Sequence, residues 1–127
     1  MGCETIIQTF FHMNLNIKLY HWQTSSYSRH KASDELHTEL LELIDSFIEV
    51  YMGRYSRPEF KTNFDINVAS YTQNREEYHI INLIKEYINY LKYDLPKKLN
   101  DKDTDLLNIR DEMIALFNQT LYLFTLN

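Results

Sequence analysis

Histidines and acids are concentrated in one stretch of the chain, HWQTSSYSRHKASDELHTELLELIDSFIE, which runs from His21 to Glu49. Within it Asp34 follows His30 by four residues, and Glu49 follows Asp45 by four residues. Neutral imidazoles combined with carboxylates form a ligand set that suits Fe(II) and other first-row divalent metals. We therefore interpret His21, His30, Asp34, Asp45 and Glu49 as candidate metal ligands and candidate catalytic residues.

These five candidates cannot all bind one ion within a single chain. His30, Asp34, Asp45 and Glu49 share one stripe of a predicted helix, but Asp34 and Asp45 would lie about 16 Å apart along its axis. A metal ion holds its N and O ligands at roughly 2 Å. Two copies of the helix packed antiparallel across a two-fold axis would bring the carboxylates of one chain opposite His21, His30 and Asp34 of the other. This spacing favours two equal sites at a dimer interface.

Helical periodicity predicts four helices that would position these residues. Their predicted bounds are about Glu4 to Gln23, about Arg29 to Tyr55, about Gln73 to Asp94, where Pro96 should stop the helix, and from the acidic segment NDKDTD nearly to Asn127. On the second helix the predicted core face consists of Leu36, Leu40, Leu43, Phe47 and Val50, and an apolar strip within the ligand stripe consists of Leu41, Ile48 and Met52. The segment Ser56–Thr72 contains Pro58 and no helical period, so we predict a crossover there. A short first connection and one long crossover favour an all-α four-helix bundle and allow the ferritin-like topology, with a single domain over residues 1–127.

Composition and charge exclude several classes of protein. The chain has 127 residues, with 13 Lys and Arg against 18 Asp and Glu, and its net charge of -5 gives no basic surface for a phosphate backbone. The single cysteine, Cys3, cannot form an internal disulfide, and no apolar run approaches the roughly 18 residues of a membrane span. We expect a protein of a reducing compartment, the cytoplasm, that binds neither nucleic acid nor a membrane.

The order of the candidate ligands resembles the ferroxidase signature of the Dps-type mini-ferritins. The pair HW is followed by a second His, an Asp four residues later, an Asp eleven further and a Glu four beyond that. The resemblance covers the first two helices, about half of the chain. It implies that His21, His30 and Asp34 come from one subunit and Asp45 and Glu49 from its neighbour. It also makes Trp22 a candidate electron donor beside the site.

The same resemblance implies an activity and an assembly. Dps-type proteins oxidise Fe(II), typically with hydrogen peroxide, at a di-iron or mono-iron centre, and store the mineral in a hollow shell. We therefore expect a homodimer at least, and a shell of twelve subunits if the whole family assembly forms. The chain also looks like an uncharacterised Dps-like family of large DNA viruses, which would place it in a host cytoplasm or a virion.

Other histidines and other functions remain open on the sequence alone. His37 is a candidate extra ligand or a surface histidine, and we expect His12 to be structural or exposed. Glu76-x-x-His79 imitates the motif of intrahelical di-iron bundles, but His79 points away from the apolar face of its helix, which indicates a chance match. One alternative function is a structural or interaction protein that uses the stripe only as a polar contact. Another is a metal sensor or buffer without turnover.

Overall fold

The computed structural model describes residues 2–60, 63–68 and 76–126, and within them the chain is helical without strands. The four α-helices are α1 (Gly2–Gln23), α2 (Tyr27–Arg54), α3 (Glu76–Asn89) and α4 (Thr104–Leu123). Helix α2 packs on α1 and α4, and α3 packs on the same two helices. The predicted all-α class and the predicted number of helices are confirmed for the described residues.

The connection between α1 and α2 is shorter than the sequence predicted. Helix α2 begins at Tyr27 rather than Arg29, because Ser26 occupies the N-cap position and its hydroxyl accepts a hydrogen bond from the Arg29 amide. Only residues 24–26 separate the two helices. This tight hairpin holds the end of α1 against the beginning of α2, where His21 and His30 lie.

Helix α3 changes its geometry before it ends. The α-helix ends at Asn89, and a π-helical turn (Tyr90–Asp94) continues the helical chain to the predicted end at Asp94. A 3₁₀ turn (Leu95–Lys98), which contains Pro96, follows. Proline has no N–H and its ring clashes with the carbonyl four residues earlier, so the preceding turn widens and the Leu95 amide bonds to the Tyr90 carbonyl. The Arg110 guanidinium donates to the Leu91 carbonyl at 3.0 Å. The predicted start of this helix, at Gln73, lies outside the described residues.

The apolar face of α2 follows its predicted position closely. Leu36, Leu40 and Phe47 are buried, whereas Leu43 and Val50 are half-buried at the edge of the core. Ile44 and Ser33 are buried as well, which extends the packed face toward the histidine side of the helix. The fully buried large side chains of the bundle come from every helix and include Tyr20, Phe10, Phe47, Phe117, Ile6, Met13, Ile17, Leu36, Leu40, Ile80, Ile84 and Leu91.

The described part of the crossover has no regular secondary structure and is fastened to α1. The Gln8 side chain donates to the Asp65 carbonyl, and the buried Asn16 side chain donates to the Asn67 carbonyl at 3.1 Å. Phe64 stacks on Phe11 of α1, with ring centroids 6.5 Å apart. None of the described helices combines the length and the apolar character that a membrane span requires.

Candidate metal centre

His21 and His30 form a reciprocal pair across the hairpin. Their rings stack with centroids 3.9 Å apart and planes 19° apart. The Nδ1 atom of His21 lies 2.7 Å from the backbone carbonyl oxygen of His30, and Nδ1 of His30 lies 2.9 Å from the carbonyl oxygen of His21. The His21 carbonyl is in the last turn of α1, where carbonyls lack intrahelical amide partners. The His30 side chain therefore caps α1 while it fixes its own ring.

These contacts determine which nitrogen of each ring can bind a metal. A carbonyl oxygen only accepts hydrogen bonds, so each Nδ1 must carry the proton. In a neutral imidazole the other nitrogen, Nε2, then has the free lone pair. Metal-binding histidines are commonly oriented by such a hydrogen bond from the second ring nitrogen to a carbonyl or carboxylate. The hairpin thus fixes two imidazoles in the tautomer that metal binding through Nε2 requires.

Asp34 lies beside this pair and is open to solvent. Its Oδ1 atom is 4.0 Å from Nε2 of His21 and 3.9 Å from the ammonium group of Lys18. The Asp34 side chain is 57% exposed, so it can move toward an ion without breaking a packed contact. The Lys18 ammonium also lies 5.7 Å from the centre of the Trp22 ring. The predicted neighbours His21, His30 and Asp34 are therefore near one another, with Lys18 and Trp22 at their edge.

Two further predicted side chains lie at the border of this group. His37 is half-buried; its burial and then the positive charge of Lys18 lower its pKa, while the Asp34 carboxylate opposes the shift. It borders a shallow depression together with Lys18, which makes it a candidate extra ligand. Trp22 is 65% exposed, so its ring can contact a partner as well as solvent.

The carboxylates predicted to complete the site lie in the other half of α2. Asp45 and Glu49 are exposed, and eleven residues of continuous helix separate Asp34 from Asp45, about 16 Å of axial rise. Among the described residues of one chain, no three His, Cys, Asp or Glu side chains are grouped closely enough to hold a metal ion. Within one chain, therefore, the group of His21, His30 and Asp34 is held apart from Asp45 and Glu49.

The sequence interpretation missed two residues of this site. Ser33 is buried, its hydroxyl donates to the His30 carbonyl at 3.1 Å, and it lies 3.3 Å from Nδ1 of His21. Lys18 contacts Asp34 from the neighbouring helix. Both stand three residues from a histidine in a helix, so a search of neighbouring helix positions would have found them.

The remaining histidines are placed elsewhere in the bundle. Nδ1 of His12 is 2.8 Å from the Tyr87 hydroxyl, a contact that joins α1 to α3 and agrees with the structural role expected for His12. Burial lowers the pKa of His12, and the Glu86 charge partly opposes this. His79 is half-buried near the beginning of α3, and the Glu76 side chain of the same motif lies outside the described part of the structure.

Comparisons with known proteins show which proteins the chain is similar to. The model of a family of unknown function, DUF5856, matches residues 21–124 of the chain. The "Uncharacterized 14.6 kDa protein in mobD-ri intergenic region" of Enterobacteria phage T4 is 29% identical over 126 residues, which cover 99% of this chain and 85% of the phage protein. No solved structure matches the chain. The family match begins at His21, at the end of α1, and includes the connection to α2 and the whole of α2.

Proposed function

The chain belongs to the DUF5856 family of unknown function, and we propose that it is a ferroxidase that oxidises Fe(II) at a site shared by two copies of the chain. The observation that carries this proposal is the reciprocal hydrogen bonding of His21 and His30. It fixes two imidazoles at the end of the hairpin where Asp34 lies, with Nε2 of His21 4.0 Å from the Asp34 carboxylate. The proposal includes the ferritin-like connectivity and the homodimer that the sequence resemblance implies.

An apolar surface beside the site supports the presence of a second copy. Phe11 and Leu15 of α1 are 43% and 38% exposed, and Leu41 of α2 is 45% exposed. Phe11 and Leu15 line a depression of about 360 Å³ that also contains Lys18 and His37. Exposed apolar side chains grouped in this way mark protein contact surfaces. Ile48, which the sequence placed in the same apolar strip, is instead half-buried against the core.

A second copy on this surface would supply the missing half of each site. Because Asp45 and Glu49 are exposed on the same stripe of α2 as Asp34, an antiparallel α2 pair brings them to the partner's histidines. The assembled set would be two imidazoles and three carboxylates, which is suitable for one or two ferrous ions. The carboxylates would balance the charge of the metal, and open coordination positions would remain for the oxidant.

The proposed reaction is balanced with hydrogen peroxide as the oxidant. Two ferrous ions each give up one electron, and the two electrons break the O–O bond of one peroxide molecule. With two water molecules, the products are two ferric oxyhydroxide units and four protons. In this chain the histidines would hold the iron and the carboxylates would compensate its charge. Where a site holds one ferrous ion, Trp22 is the candidate donor of the second electron for the peroxide and would itself be left oxidised by one electron. The result would be iron storage or protection against oxidative stress.

An assay of Fe(II) oxidation tests this proposal directly. The purified protein is loaded with Fe(II) without oxygen and then mixed with hydrogen peroxide, while the ferric product and the remaining peroxide are measured. We expect oxidation faster than in protein-free buffer, and a return to that background in the His30→Ala, Asp34→Ala double variant. Equal rates for wild type, variant and buffer would refute the ferroxidase proposal.

One observation favours a second candidate function, in which the stripe is only a polar contact between helices. The Lys18 ammonium already compensates the Asp34 carboxylate, as expected where no metal binds. This non-catalytic structural protein would still self-associate, and metal analysis of the purified protein distinguishes it from a ferroxidase.

For both candidates we propose no nucleic-acid partner, since the net charge is -5. The mass of the intact assembly decides between a dimer and a shell of twelve subunits.

A further inference from the structure

The residue that follows α4 packs beneath the hairpin that carries the two histidines. Phe124 is 3% exposed, and its ring centroid lies 5.7 Å from that of Tyr20 on α1. The guanidinium carbon of Arg29 on α2 lies 5.0 Å from the Phe124 ring centre. Arg29 also donates a hydrogen bond from Nη2 to the Phe124 carbonyl at 3.1 Å. One residue of the C-terminal segment therefore contacts both arms of the hairpin.

The two contacts of Phe124 stand next to the two histidines in the sequence. Tyr20 directly precedes His21, and Arg29 directly precedes His30. The reciprocal hydrogen bonds, at 2.7 and 2.9 Å, require a defined distance between the end of α1 and the beginning of α2. Tyr20 is fully buried, so its backbone cannot shift without repacking around Phe124. The Phe124 ring is therefore placed to set that distance.

We propose that Phe124 and Arg29 are positioning residues, which hold His21 and His30 in the register that keeps both Nδ1 protons on backbone carbonyls. The metal-binding consequence of this inference rests on the proposed function. The structural consequence does not, because it concerns the tautomer of two imidazoles in the metal-free protein. Binding sites require their side chains within about half an ångström of the working geometry, so a small change in helix spacing has a large effect.

The test compares Phe124→Leu with Phe117→Leu, a substitution of another buried phenylalanine of the same C-terminal region. Phe117 is fully buried on α4, and its ring centroid lies 5.8 Å from that of Tyr87 on α3. Both variants are examined by circular dichroism and thermal unfolding, by ¹⁵N NMR of the imidazoles without metal, and by Co(II) titration. Arg29→Met, which leaves the ring of Phe124 in place, is the second variant if Phe124→Leu does not fold.

We expect wild type and Phe117→Leu to show the Nδ1-protonated tautomer at His21 and His30. Phe124→Leu and Arg29→Met should show a mixture of tautomers and about tenfold weaker Co(II) binding. If both histidines keep their tautomer in these variants and the Co(II) affinity is unchanged, the positioning role is wrong. If wild type binds no Co(II) but the tautomers still change as expected, the positioning role is supported and the proposed metal function fails.

Discussion

The ring of His30 donates a hydrogen bond to the backbone of His21, and the ring of His21 donates one to the backbone of His30. Two side chains nine residues apart thus fasten the two helices of the hairpin to each other. This arrangement makes the local fold and the candidate metal centre interdependent. A change that loosens either ring is expected to weaken metal binding and to reduce the stability of the hairpin.

Ser33→Ala should weaken metal binding with only a modest loss of stability. The Ser33 hydroxyl donates to the His30 carbonyl and is within 3.3 Å of Nδ1 of His21, so its removal loosens the pair without deleting a ligand. We expect up to about tenfold weaker Co(II) binding and a decrease of about 1 kcal/mol in the free energy of unfolding. Co(II) titration and urea unfolding measure the two effects.

The matched control for this substitution is Thr120→Val. Thr120 is buried on α4, and its hydroxyl donates to the Leu116 carbonyl of the same helix at 3.0 Å. Its loss should reduce stability to a similar extent and leave Co(II) affinity unchanged. The same affinity for Ser33→Ala as for wild type would show that the serine has no part in orienting the imidazoles.

Lys18→Met should strengthen the binding of divalent metals. The Lys18 ammonium is 3.9 Å from Asp34 and competes with any cation for that carboxylate. A partly exposed ion pair contributes up to about 1 kcal/mol, so its removal should tighten binding by up to about fivefold. Lys31→Met is the control, because Lys31 likewise lies over an aromatic ring, that of Tyr27, at 5.8 Å. Zn(II) affinity is measured by calorimetric titration. Equal affinities for wild type, Lys18→Met and Lys31→Met would show that Lys18 does not compete with the metal for Asp34.

The helices were predictable because their signals are local. The 3.6-residue apolar period identified the core face of α2 through Leu36, Leu40 and Phe47, and Pro96 indicated where the helical segment that begins with α3 ends. Helix α2 begins two residues before its predicted start, because the Ser26 hydroxyl caps the helix earlier than the apolar period indicates. The π-helical turn before Pro96 depends on how the chain relieves a clash in three dimensions, so periodicity could not indicate it.

The candidate site was predictable only in part, since its geometry depends on contacts between helices. Spacing placed His30 and Asp34 on one face of α2 and put His21 at the other side of the hairpin. The stacking of the two rings depends on the position of backbone carbonyls, which no residue pattern encodes. The contact of Phe124 with Tyr20 joins residues 104 positions apart and has no local signal. The partner's contribution of Asp45 and Glu49 stays a prediction.

Acid should destabilise the protein through a buried carboxylate that lies away from the metal centre. Asp103 is 1% exposed, and hydrogen bonds from the Tyr55 hydroxyl and the Asn100 amide, together with the Arg54 charge, lower the pKa of its carboxyl. A carboxyl with a lowered folded pKa stabilises the fold above its unfolded pKa, and this contribution disappears as the pH falls through the folded value. The affected window therefore begins below about pH 4.

Tyr55→Phe should change the pH dependence of thermal stability between neutral and acidic pH, because it weakens the stabilisation of the Asp103 carboxylate. The substitution removes the first of the three interactions, so the folded pKa of Asp103 should rise toward its unfolded value. The stability that Asp103 contributes at neutral pH should then decrease, and the further loss on acidification should be smaller than in wild type. Tyr93→Phe is the control, because Tyr93 is 63% exposed in the π-helical turn that follows α3. Identical pH profiles for both variants and wild type would mean that Asp103 does not determine the acid limit.

Leu41→Lys should dissociate the proposed dimer without unfolding the chain. Leu41 is 45% exposed on the ligand stripe of α2, so a buried lysine at the interface would cost association energy but little folding energy. Native mass spectrometry should find wild type at twice 15.4 kDa or more and the variant largely at 15.4 kDa. Leu126→Lys, at 46% exposure after α4, is the matched control and should stay associated. A wild-type monomer at micromolar concentration would exclude the shared site.

Mixed oligomers test the division of the site between two chains. A His30→Ala, Asp34→Ala chain lacks the histidine half, and an Asp45→Ala, Glu49→Ala chain lacks the carboxylate half, so each alone should be inactive. In a dimer of the two, one site takes its histidine half from the second variant and its carboxylate half from the first. That site has all its ligands, while the other lacks four groups.

Unfolding and refolding equal amounts of the two variants together should therefore restore activity. Random pairing gives about half mixed dimers with one working site each, so roughly a quarter of the wild-type Fe(II) oxidation should return. A site built within one chain cannot recover in this way, because every chain in the mixture still lacks two ligands. If mass spectrometry finds the mixed dimers and oxidation stays at background, the two halves do not meet across the interface, and the stripe on α2 is a structural contact.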